Sequence, residues 1–350
     1  MADGEKFNWR LTAVWWLILF VGAMCLMLTT AVNKTIVIAD STENGVNGSQ
    51  ALEVVKTLCL EETEEETGTF WIPLKSGTKA GNVVVENSYL DRELRIFIGG
   101  ADAGFYEENA VRGNVDFLKS AVSKTQKSGV LLCFQTNQVY EFQTSMDQDV
   151  LKVVARNPQD LYDMVVVVDP AASPMLTDAQ GAIAQEELTM AVSRYLSEQW
   201  TQENVKLYYT RLGDRQVTDD QRVKLAQDTD ADIYIRLAVS QEEDPMQYGI
   251  SGRYNQAYFI PGFGNVELAD ILTRNVTIAT NNRAVGLVST EEEDVLNRLQ
   301  IPSACIEMGY VTNEQECELL ASDSYRQKLA GGIIEGIKEV YTSYYEKSVQ

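Results

Sequence analysis

From residue 160 onward the chain alternates continuous apolar runs with amphipathic stretches. Met164 to Val168 is an unbroken apolar run, the pattern of a strand buried on both faces of a sheet, and Gln185 to Glu198 follows with helical spacing. Val205 to Tyr209, Asp219 to Gln227 and Ile233 to Leu237 repeat strand, helix, strand. A helix centred on Leu268 to Ile278 precedes a strand at Ala304 to Met308. Tyr325, Leu329, Ile333, Ile337, Val340 and Tyr344, at steps of three or four, predict a closing helix. The succession predicts an α/β unit over 160–350, an open, mostly parallel sheet with helices on both faces.

Upstream the apolar runs are short and alternating: Val83 to Val85, then Leu94, Ile96 and Ile98, then Val130 to Phe134, Val139 to Phe142 and Val150 to Val154. Gly, Asn and Asp punctuate them, which predicts a small β domain over 70–157, with a helical interlude around Val115 to Val122. Residues 33–69 are rich in Thr, Asn, Gly and Ser and end in the run Glu61-Glu62-Thr63-Glu64-Glu65-Glu66, the composition of a solvated linker.

Residues 11–32 carry no charge over 22 positions, long enough as a helix to cross a hydrocarbon core of about 30 Å. Lys6 and Arg10 precede this stretch, and Trp9, Trp15 and Trp16 lie near its start, where aromatic rings favour the interface. The expectation is a single-pass anchor in the cell membrane, residues 1–10 forming a cytoplasmic tail and the bulk of the chain lying outside. A cleaved signal peptide is the alternative, with Thr29-Thr30-Ala31 as its cut site, but the run exceeds the usual apolar core of about 7–15 residues.

The formal net charge is −22, with 29 Lys and Arg against 51 Asp and Glu. That balance argues against nucleic acid, whose phosphates need concentrated cations. Beyond Cys25, the cysteines Cys59, Cys133, Cys305 and Cys317 are dispersed and form no Cys-x-x-Cys pair, so they read as small buried residues rather than a disulfide framework. The chain has no histidine at all, which removes the commonest nitrogen ligand for catalytic zinc and the usual proton carrier near neutral pH.

Three segments stand where an open α/β sheet builds its site. Val167-Val168-Asp169-Pro170 ends one strand; Thr210-Arg211, Asp214 and Arg222 follow the next; and Ile306-Glu307-Met308-Gly309-Tyr310-Val311-Thr312-Asn313 leads into a helix. Asn313, followed by Glu314 and Glu316, suits a helix start. Arg222 on a helix reads by default as a solvated or ion-paired surface residue, and Glu307 at the end of an apolar strand needs a partner or a role.

Together these segments resemble the catalytic domain of the zinc-dependent N-acetylmuramoyl-L-alanine amidases, cell-wall hydrolases that cut between muramic acid and the stem peptide. The β domain before it resembles, in strand pattern and domain order, the AMIN domains that often precede them. The resemblance implies zinc as cofactor, held at positions corresponding to Ala172, Gln185 and Ala238. These are degenerate metal-ligand positions, although Glu186 and Glu187 stand beside Gln185. It makes Glu307 the counterpart of the family's catalytic glutamate and leaves Asp169, Arg211, Arg222 and Asn313 as peptide-binding or structural residues. No metal or other cofactor is expected for this chain. The implied partners are peptidoglycan or its stem peptides and, further off, other wall, division or sporulation proteins of a bacterium. The expected function is a non-catalytic, membrane-anchored protein of wall binding, remodelling or regulation. The alternative is an active amidase with a non-standard metal site.

Overall fold

The computed structural model describes residues 34–35, 38–40, 55–64, 66–171, 185–256, 262–291 and 294–346. The expected anchor over 11–32 and position Ala172 lie outside these residues, as do the side chains of Gln185, Glu186 and Glu187. Among the described residues no helix is long and apolar enough to cross a membrane.

The first module is built from β1 Lys34–Thr35, β2 Ile38–Asp40, β3 Val55–Thr57, β4 Leu60–Glu62, β5 Thr69–Pro73, β6 Val83–Ser88, β7 Glu93–Gly99, β8 Val111–Gly113, β9 Leu118–Gln126, β10 Gly129–Thr136, β11 Glu141–Asp147 and β12 Val150–Arg156. They form two sheets, β1-β11-β12-β5-β8-β4 and β2-β6-β7-β10-β9-β3. Alternate residues of both sheets meet in one core, where Phe70 and Ile72 face Leu94, Ile96, Leu132 and Phe134. The rings of Phe70 and Phe134 lie 5.2 Å apart. A period of two on each strand is what places one apolar set inside.

Two sequence expectations change here. The stretch expected as linker, 33–69, supplies four short strands, β1 to β4, to the edges of both sheets. Its polar composition hid them because an edge strand needs few apolar residues. The helical interlude expected at Val115 to Val122 is instead a turn that leads into β9 at Leu118. That strand pairs antiparallel with β10 from Leu118 to Gln126, and the two are joined by a tight turn ending at Gly129.

The second module follows through β13 Met164–Pro170, β14 Val205–Tyr209, β15 Ile233–Ser240, β16 Ile250–Tyr254, β17 Ala284–Ser289 and β18 Ser303–Tyr310. Its helices include α1 Gln185–Gln199, α2 Asp219–Asp228, α3 Asn265–Thr280, α4 Asp294–Arg298, α5 Glu314–Ala321 and α6 Asp323–Val340. The sheet order is β14-β13-β15-β18-β16-β17. The first four strands run parallel, and β16 is antiparallel to β18. One face buries Val166, Val168, Ile235, Leu237, Ile306 and Met308 under α1, α3 and α6. The other buries Val165, Val167, Tyr234 and Cys305 under α2 and α4, and there the β module joins the same core through Tyr89 and Val139.

Tyr89 joins the modules. Its hydroxyl donates to the Tyr209 carbonyl at 2.8 Å and accepts from the Tyr209 amide at 3.1 Å, while its ring stands edge-on to Tyr208 at 5.0 Å. Beside it, Arg215 makes a two-pronged pair with Asp91, at 2.6 and 3.0 Å. Burial pushes the Asp91 carboxyl up, but Arg215, Ser88 and Arg95 outweigh it and hold the group below the usual carboxylate value.

Candidate functional site

The carboxyl ends of β13, β15 and β18 lie side by side, the edge at which open α/β sheets build their sites. Asp169, at the end of β13, is fully buried. Its Oδ1 accepts from Thr210 Oγ1 at 2.5 Å and from Arg222 Nε at 2.9 Å; its Oδ2 accepts from Arg236 Nη1 at 2.6 Å. Burial alone would raise its pKa, yet Arg236 and Arg222, with Thr210, hold it below the ordinary value. Arg222 also donates to the Val217 carbonyl and to Asp219, so the helix residue expected at the surface is ion-paired but buried, because its partner Asp169 lies at the end of a fully buried strand.

Arg211, 1% exposed, turns back onto the strand end. Its Nε donates to the Pro170 carbonyl at 3.0 Å and its Nη2 to the Ala171 carbonyl at 2.9 Å, and Thr189 Oγ1 donates to Ala171 as well. These donors satisfy carbonyls that the strand leaves open where it ends. Asn313 caps α5 by accepting from the Glu316 amide at 3.1 Å and donates to the Pro245 carbonyl at 3.0 Å. Glu316 itself accepts from the Gly249 and Tyr310 amides and from Asn282, at 3.0, 2.8 and 2.7 Å. It therefore ties three segments together under the edge. Gly309, at φ +145°, lets the backbone pass over that carboxylate, which a Cβ would meet at 3.2 Å.

Glu307 occupies the centre of the edge, paired in register with Ala238 of β15 on one side and Ser251 of β16 on the other. It is 7% exposed. Its Oε2 accepts from Ser251 Oγ at 2.5 Å and its Oε1 lies 2.8 Å from Arg253 Nε. Burial, followed by the Glu307 charge, pushes the neighbouring Tyr310 hydroxyl up from its ordinary pKa.

The edge thus brings Asp169, Ala238 and Glu307 together and puts Arg211, Arg222 and Asn313 into the scaffold around them. Arg236, Ser251 and Arg253 join them, although no motif in the sequence marks these three. An arginine inside the apolar run Ile233 to Val239 was a usable signal for Arg236, since a buried charge implies a buried partner. Arg253 and Ser251 gave none, because β16 is short and its antiparallel pairing is a tertiary fact.

The donor set does not fit the family's zinc. Ala238 presents a methyl group at one ligand position, and the chain has no imidazole. Among the described residues, no three His, Cys, Asp or Glu side chains group to hold a metal. Cys133 and Cys305 are buried, Cys317 is half-buried and Cys59 is exposed, all as free thiols.

Residues 166–339 match the family model described as N-acetylmuramoyl-L-alanine amidase. The chain is 26% identical over 161 residues to the uncharacterized protein YqiI of Bacillus subtilis (strain 168), covering 45% of this chain and 74% of that one. It is 24% identical over 166 residues to the N-acetylmuramoyl-L-alanine amidase CwlM of Mycobacterium tuberculosis (strain ATCC 25618 / H37Rv), covering 46% of this chain but only 40% of that one. Among solved structures, the N-acetylmuramoyl-L-alanine amidase from Clostridium difficile 630 superposes with a TM-score of 0.48 at 21% identity, covering 52% of this chain and 98% of that one. The second module of this chain resembles the catalytic domain of the N-acetylmuramoyl-L-alanine amidases, the resemblance being carried by residues 166–339.

Proposed function

We propose that this protein keeps an amidase fold to bind peptidoglycan or its stem peptides, and that it does so without cutting them. The observation that carries this reading is the row Ala238, Glu307 and Ser251, in which a methyl group stands at a metal-ligand position and the glutamate is held by Ser251 and Arg253. Amide hydrolysis in the family needs a metal to polarise the carbonyl and acidify water. Without that metal, Glu307 has no activated water on which to act as a base.

In the same reading residues 11–32 anchor the chain in the membrane and the modules work outside the cytoplasm, on the strength of the charge-free apolar run. The β module is an AMIN-like unit that localises the protein at the wall or at its assembly machinery. Its docking through Tyr89 and Arg215 would fix the direction in which the amidase-like edge faces.

The test is co-sedimentation of the full-length protein with purified peptidoglycan, alongside protease accessibility in intact cells. Pelleting with the wall polymer, and digestion of the modules from outside the cell, support the reading. Failure to pellet would redirect the search to protein partners of a division or sporulation complex.

A further inference from the structure

Strand register places two rows of side chains on one face of the second module's sheet. Asp169, Arg236, Cys305 and Arg253 stand in one row across β13, β15, β18 and β16. Ala238, Glu307 and Ser251 stand in the next, two residues along and on the same face. In the first row the single carboxylate of Asp169 serves two guanidiniums, Arg222 and Arg236. Arg222 is shared further with Asp219, so the two guanidiniums of that row are matched by two carboxylates and Arg253 is the cation that faces Glu307, with Glu242 4.0 Å from its far side. Arg253 then approaches Glu307 diagonally across the antiparallel pair, its side chain 21% exposed against 9% for the glutamate.

We propose that Arg253 is the resident cation of this edge and takes the electrostatic place that a metal holds in the family. With Ser251 it fixes Glu307 in place as a hydrogen-bond acceptor, and its charge keeps divalent metal away from the carboxylate. Like charges a few ångströms apart in a partly buried site repel far more strongly than they would in water. An edge built this way takes the amide N–H or free amine of a peptide on the remaining lone pairs of Glu307, rather than a metal-polarised carbonyl. The inference deepens the binding reading but has its own readout.

The experiment restores the family's donors in the full-length protein with Ala172→His, Gln185→Glu and Ala238→His, and measures zinc uptake by equilibrium dialysis. The restored background is then compared with Arg253 intact, with Arg253→Lys and with Arg253→Gln. The expected result is zinc affinity at least about tenfold higher with Arg253→Gln than with either cation in place. Arg253→Met, which keeps most of the stem's packing, is run in parallel as a second neutral variant, and melting curves establish that each variant is folded. Equal zinc affinity in folded cationic and neutral variants overturns the inference, as does no zinc uptake by the neutral ones. Wall pelleting is not part of this comparison, so failure of the binding reading and failure of this inference read out separately.

Discussion

Arg253 and Glu307 form an ion pair of 2.8 Å across neighbouring antiparallel strands, although each is paired in register with another residue, Cys305 and Ser251 respectively. The diagonal geometry lets the guanidinium close on one carboxylate oxygen while the serine holds the other. Removing the arginine leaves a nearly buried carboxylate with one partner. Arg253→Gln is expected to lower unfolding stability by about 1–3 kcal/mol, and Arg253→Lys by less, as read from urea midpoints.

Asp169 is the more consequential structural group. It is fully buried and its carboxylate is shared by two arginines, so Asp169→Asn removes the buried anion from both, leaving Arg222 with Asp219. The expected loss is about 3–5 kcal/mol, measured by chemical unfolding, with Thr210→Val costing about 1–2 kcal/mol because only one hydrogen bond is removed.

The modules are coupled through Tyr89, whose hydroxyl satisfies both the amide and the carbonyl of Tyr209. Tyr89→Phe keeps the ring on Tyr208 but leaves that buried peptide group without its partner. The expected outcome is a loss of about 1–3 kcal/mol in the shared unfolding transition, read from urea midpoints. Calorimetry is expected to resolve a single transition into two in Tyr89→Ala, where the ring contact is lost as well.

Acid should weaken both the edge and the junction between modules. Asp169 and Asp91 are each held below the ordinary carboxylate value in the folded state, so their contribution is complete above about pH 4, where the unfolded chain has lost its protons. It disappears as pH falls through their lowered folded values. Urea midpoints should therefore drop below about pH 4, and Asp91→Asn, which removes one of the two linked groups, should flatten that limb.

Much of the second module could be read from apolar runs, because parallel strands buried on both faces leave continuous stretches such as Met164 to Val168. The site was legible where a polar residue ended such a run, as at Asp169 and Glu307. The partners that define their chemistry were not, since Arg236, Arg253 and Ser251 reach them through strand order and register rather than through sequence spacing. The same limit applied to β1 to β4, whose polar residues join sheets far away in sequence.

The central claim is that this edge binds but does not cut, and the most direct measurement is a peptidoglycan digest. The full-length protein is incubated with purified wall and added zinc or manganese, and free stem peptides are scored by mass spectrometry. The account predicts no release while the protein pellets with the wall. Release that Glu307→Ala abolishes would contradict it and would assign an active amidase with a non-standard metal site.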